Sequence, residues 1–114
     1  MPTTSTTLLD RVSLTADSTM DPGTAADMAD GQTLEIVVTV DEAATGEAPV
    51  LALWHAPDAA DTVWLDFPEP VRVSLSRAGR TWIHVPRYTR YVGWSVSGSL
   101  DTPAIVSVAL LAKG

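Results

Sequence analysis

The residues of this chain with chemistry to offer are two histidines, a loop holding three aspartates, four tryptophans and a group of arginines. His55 and His84 are the available bases. A hydroxyl nucleophile needs such a base within hydrogen-bond reach and a third group to orient it. The chain has no G-x-S-x-G elbow, and Ser97-Gly98-Ser99 reads as a turn. Each histidine is therefore expected to be a satisfied or surface side chain, and no reaction is expected. Asp21, Asp27 and Asp30 share one loop, and Ca²⁺ favours oxygen ligands in such loops. The EF-hand spacing of acids with its terminal glutamate is missing, so no metal and no cofactor is expected.

Trp54, Trp64, Trp82 and Trp94 could stack on sugar rings, as in a carbohydrate-binding module. Three of them lie in apolar strand segments, and Trp64 alternates with Val63 and Leu65, so packing in the core and between subunits is the expected role. The arginines are placed unevenly. Residues 1–66 carry twelve acids and a single base, Arg11, whereas residues 67–114 carry six bases and two acids. Arg72, Arg77, Arg80, Arg87 and Arg90 are thus concentrated in the second half of a chain whose net charge is −7. Arginine pairs bidentately with carboxylates, so these five are candidate protein contacts. The acidic total opposes nonspecific binding to nucleic acid or to an anionic membrane, and neither is an expected partner.

Strands must position these groups. Residues 33–41 alternate cleanly, with Leu34, Ile36, Val38 and Val40 on one face and Glu35, Val37, Thr39 and Asp41 on the other. Strands are also expected at residues 8–15, 63–67, 71–76, 80–85, 88–97 and 103–111, and residues 50–55 (VLALWH) read as a nearly continuous apolar strand. Residues 16–32 read as loop, Pro68 and Pro70 interrupt pairing, and Gly93 suggests a bulge or a close approach by another backbone. About eight strands with regular turn signals predict an antiparallel β-sandwich or jelly roll. Residues 1–7 (Met1, Pro2, Thr3, Thr4, Ser5, Thr6 and Thr7) have the composition of an extended or flexible arm that could order on a neighbouring subunit. Residues 8–114 then form one sandwich domain.

The 114 residues suffice for a real core, and 46% of them are hydrophobic, so the fold needs no staples. With no cysteine, disulfides and thiolate metal sites are excluded. The start shows neither a basic n-region nor a long apolar h-region, and no apolar run reaches the roughly 20 residues of a membrane span, so synthesis in the cytosol is expected.

The runs DGQTLEIVVTVDEAATGEAPVLALWHAPDA and VSLSRAGRTWIHVPRYTRYVGWSVSGSLDTPAIVSVALL resemble the small capsid cement, or decoration, proteins of tailed bacteriophages. The likeness is to the jelly-roll cement proteins of short-tailed phages, spans about residues 8–112, and has Arg87-Tyr88-Thr89-Arg90 as its most distinctive short motif. The tryptophans and the Pro68–Pro70 pair depart from that pattern. The resemblance implies a non-enzymatic protein on the outer surface of an icosahedral head, made in the host cytoplasm. It also implies partners: the major capsid protein and further copies of the chain itself, as a dimer or trimer. Other classes consistent with the residues are another phage head or tail accessory part, such as a fibre base, and a carbohydrate-binding sandwich.

Overall fold

The computed structural model describes residues 3–15, 26–28, 33–57 and 65–113. Eight strands account for most of them: β1 (Thr3–Leu14), β2 (Ala26–Asp27), β3 (Thr33–Glu42), β4 (Val50–Ala56), β5 (Val71–Ser74), β6 (Gly79–Val85), β7 (Tyr91–Ser97) and β8 (Ala104–Lys113). They form two four-stranded sheets, ordered β1-β8-β3-β6 and β2-β7-β4-β5. Every pairing is antiparallel. First pairs with last: β1 with β8, β2 with β7, β3 with β6, β4 with β5. This nesting is a long hairpin rolled onto itself, the jelly roll. The eight-stranded antiparallel sandwich read from the sequence is the architecture observed.

Side-chain alternation decides which face of each sheet is inside. Leu34, Ile36, Val38 and Val40 of β3 are buried beside Val106, Val108 and Leu110 of β8. Leu51 and Leu53 of β4, Val71 and Val73 of β5 and Val92 of β7 line the other layer of the same core. Each such side chain contributes about 1.5–3 kcal/mol when fully buried. Trp94 and Val96 pack on this core from β7, as their place in the alternation requires. β7 passes through Gly93 opposite Trp54 with no register shift, so of the two features expected there, a bulge or a close backbone approach, the bulge is absent.

Two sequence expectations need correction. Residues 1–7 were expected to be an arm, but Thr3, Thr4, Ser5, Thr6 and Thr7 are the first half of β1, paired with Lys113, Ala112, Leu111, Leu110 and Ala109 of β8. Threonine is a good strand former, and the partner strand comes from the far end of the chain, so local composition concealed the pairing. Met1 and Pro2 lie outside the described residues. The loop assigned to residues 16–32 contains β2, a two-residue strand that Ala26 and Asp27 make against Val92 and Tyr91. The strand expected at residues 63–67 falls partly outside the described residues; within them Leu65 makes a two-way backbone bridge to His55, at 2.9 and 3.0 Å.

At one end of the sandwich, two loops lace together through backbone. Ser99 N–H donates to Glu47 O at 2.9 Å, Asp101 N–H to Thr45 O at 2.7 Å, and Thr45 N–H to Thr102 Oγ1 at 3.0 Å. Gly46 and Gly98 have φ of 137° and 87°, and a Cβ on either would collide with Ser99 O or Ala48 O. Only glycine lets these loops approach so closely.

Candidate binding flank

The sequence-derived arginines separate into two groups. Arg90 donates from Nε and one terminal nitrogen to the two carboxylate oxygens of Asp27, both at 2.9 Å, and so clamps β2 to β7. Its neighbours in the Arg87-Tyr88-Thr89-Arg90 motif also work inward. Tyr88 is buried and its hydroxyl lies 3.5 Å from Met28 O. Thr89 N–H donates to Nδ1 of His55 at 3.1 Å. Arg87 alone in this motif is exposed without an ion partner among the described residues. Most of this short motif therefore closes one side of the second sheet instead of presenting a surface.

Because Thr89 N–H occupies Nδ1, the proton of neutral His55 sits on Nε2 and is donated to Asp66 O at 3.0 Å. The ring stacks on Phe67, centroids 4.9 Å apart. His55 is 9% exposed with both nitrogens engaged, so it is a fixed structural group. His84 lies on the surface, its Nδ1 2.7 Å from Oε1 of Glu35 across the β3–β6 pair. Among the described residues, no hydroxyl is hydrogen-bonded to His84, and no three His, Cys, Asp or Glu side chains converge to hold a metal ion. Asp27 is committed to Arg90; Asp21 and Asp30 lie outside the described residues.

The second group gathers on the flank of the sandwich between β5 and β6. Arg72 of β5 donates to Oδ1 of Asp66 at 2.9 Å and lies 4.5 Å over the ring of Trp54. Trp54 in turn donates from Nε1 to Ser95 Oγ at 2.8 Å, which fixes the ring on the outer face of the second sheet. Arg77 is in the β5–β6 turn and Arg80 on β6; both are exposed and have no ion partner among the described residues. Arg72, Arg77 and Arg80 line a shared groove of about 280 Å³. A larger groove of about 470 Å³ continues along the same flank, between Phe67–Pro68–Glu69–Pro70–Val71 and the Thr81–Pro86 side of β6.

β6 forms the rim of this flank. It is an edge strand, paired only to β3 among the described residues, and almost every residue in it is exposed. Trp82, at its centre, is 65% exposed and stands opposite Val37 on the outer face of the first sheet. The tryptophans are expected from the sequence mainly in packing roles. Trp94 fits that, Trp54 is half-buried on a sheet surface, and Trp64 lies outside the described residues. For Trp82 the signal was present, because Arg80, Trp82 and His84 share one phase of the alternation and Thr81, Ile83 and Val85 the other. Two charged or polar neighbours in phase mark that face as the wet one.

No protein-family model matches the chain, and no curated protein matches it. Among solved structures it is similar to a Bacillus endospore appendage protein from a family of disulfide-linked pili, at 10% identity and a TM-score of 0.42 over 96% of this chain and 82% of that one. It is similar to the K3 cleaved adhesin domain of Lys-gingipain from Porphyromonas gingivalis, at 16% identity and a TM-score of 0.41 over 78% of this chain and 61% of that one. It is also similar to a chain of the virus-like particle of Macrobrachium rosenbergii extra small virus, at 12% identity and a TM-score of 0.26 over 96% and 77%. At these scores the likenesses carry no function to this chain. Disulfide linkage of the kind named for the appendage is closed to it, since it has no cysteine.

Proposed function

We infer that this chain is a non-enzymatic structural protein of a virion, one that coats the outer surface of a tailed-phage head and braces neighbouring major capsid protein subunits. The observation that carries this reading is the β5–β6 flank: in a protein of net charge −7, Arg77 and Arg80 stand exposed, without ion partners among the described residues, beside a groove. Such a flank fits a carboxylate-bearing protein surface. Complementary charge steers docking and fixes its register more than it adds affinity, so the apolar walls of the adjoining groove supply the remaining contact. The resemblance to phage cement proteins supplies the identity of the shell.

Bracing follows from mass action. A protein that binds only the assembled shell stabilises it by RT ln(1 + [L]/Kd), about 4 kcal/mol per site at a thousandfold excess over Kd. A two-layered sandwich suits the task because its core is close-packed and transmits load with little deformation. Co-sedimentation with mature heads stripped of this protein tests the reading. Saturable binding that weakens as salt rises supports it, and a chain that stays in the supernatant at every ratio refutes it. A carbohydrate-binding role draws support from the exposed Trp82. It predicts that a glycan quenches tryptophan fluorescence in the native chain and fails to do so in Trp82→Ala.

A further inference from the structure

We propose that β6 is a self-pairing edge: two copies of the chain join β6 to β6 antiparallel about a two-fold axis at Trp82, making one continuous eight-stranded sheet. This stands on the geometry of the edges and not on shell binding, with which it shares one residue, Arg80.

The four sheet edges are not alike. Free edges are normally blunted by shortness, bulges, proline or charge, because an unblunted one templates pairing with another chain. β2 has two residues, and β5 has four and follows Pro68 and Pro70. β1 is long, but it is broken by register shifts on both sides of Leu9 and by Arg11 at φ 49°. β6 is seven residues long, keeps continuous register with β3 from Val40↔Gly79 to Leu34↔Val85, and contains no proline. It is the regular edge among the four.

The occupant is set by what its outward face carries. In an antiparallel pair centred on Trp82, each tryptophan meets its counterpart, and Arg80 of each copy meets His84 of the other. His84 is already held by Glu35 at 2.7 Å. Glu35 therefore lies two strand spacings from the second copy's Arg80, about 10 Å, within reach of an arginine side chain. The two-fold creates the contact twice, and Arg80 lacks an ion partner among the described residues. The cross-strand aromatic pair favours this register, and across His84 each Arg80 gains an opposite charge in Glu35. An isologous contact of this kind closes after two copies and does not propagate.

Light scattering on the full chain across a concentration series tests the pairing. The expected result is a concentration-dependent rise from 12.1 kDa to twice that mass, with a blue shift of tryptophan emission. Trp82→Lys and Arg80→Glu should each weaken the dimer at least about tenfold while far-ultraviolet dichroism stays unchanged. Glu35→Arg combined with Arg80→Glu should restore it. A native chain that remains at monomer mass overturns the proposal, as does a dimer indifferent to Trp82→Lys and Arg80→Glu. A double variant that stays monomeric overturns the register. A monomeric chain that nevertheless sediments with heads would defeat the pairing while leaving shell binding intact.

Discussion

β1 and β6 are the two edges of one sheet, and they have been built in opposite ways. β1 faces β8 through a broken register, with Arg11 in the left-handed region and its N–H given to Ser107 Oγ at 3.0 Å. Its Leu9 and Leu14 are anchored in the core. β6 keeps unbroken register with β3 but sends only Val85 fully inward and leaves Trp82 in solvent. An irregular edge with a committed inner face is a closed seam. A regular edge with an exposed aromatic at its centre is an open one. The same sheet therefore separates structural work on one side from surface work on the other, and substitutions should respect that division.

The largest contrast is in stability. Leu9 is 6% exposed, so Leu9→Ala should lower the unfolding free energy by about 2–5 kcal/mol. Trp82→Ala, on a side chain mostly in water, should change it by under about 1 kcal/mol. Denaturant unfolding of the two variants makes the comparison, and equal losses would erase the distinction between the edges. Removing residues 1–7 comes next. A flexible arm could be lost without consequence, but the pairing of Thr3–Thr7 with β8 makes the deletion cost about 2 kcal/mol, roughly 10 °C in Tm. An unchanged melting temperature would restore the arm.

A third effect concerns binding and not folding. Arg77→Glu, at a residue outside β6, should reduce head binding at least about fivefold and leave Tm unchanged. Arg90→Glu should do the reverse, lowering Tm through loss of its bidentate contact to Asp27. The smallest effect is at Arg11. Replacing it by glycine removes the cost of a left-handed side chain and should stabilise the chain by about 1 kcal/mol or less, measured by the same unfolding curves.

The sandwich was legible because burial imposes a period of two, which the runs around Leu34 and Val71 carry, while the run around Leu51 is apolar on both faces and was legible by its composition. What failed were features fixed by partners distant in sequence. Nothing near Thr3 states that Lys113 will lie beside it, and nothing near Ala26 announces Val92. The arginines were read as a single group because charge is visible in a sequence and counter-charge is not. Asp27 claims Arg90 across 63 positions, whereas Arg72 finds Asp66 only six away. The convergence of Arg72, Arg77 and Arg80 follows from their being on or between two strands consecutive in sequence, β5 and β6, which are edges of the two sheets.

Hydrogen exchange of the chain, free at low concentration and bound to mature heads, is the direct test of the division between edges. Slowed exchange in β6 and in the β5–β6 turn, with β1 unchanged, is the expected result. Slowing confined to β1, or no difference between the two states while the chain is bound, would contradict the account.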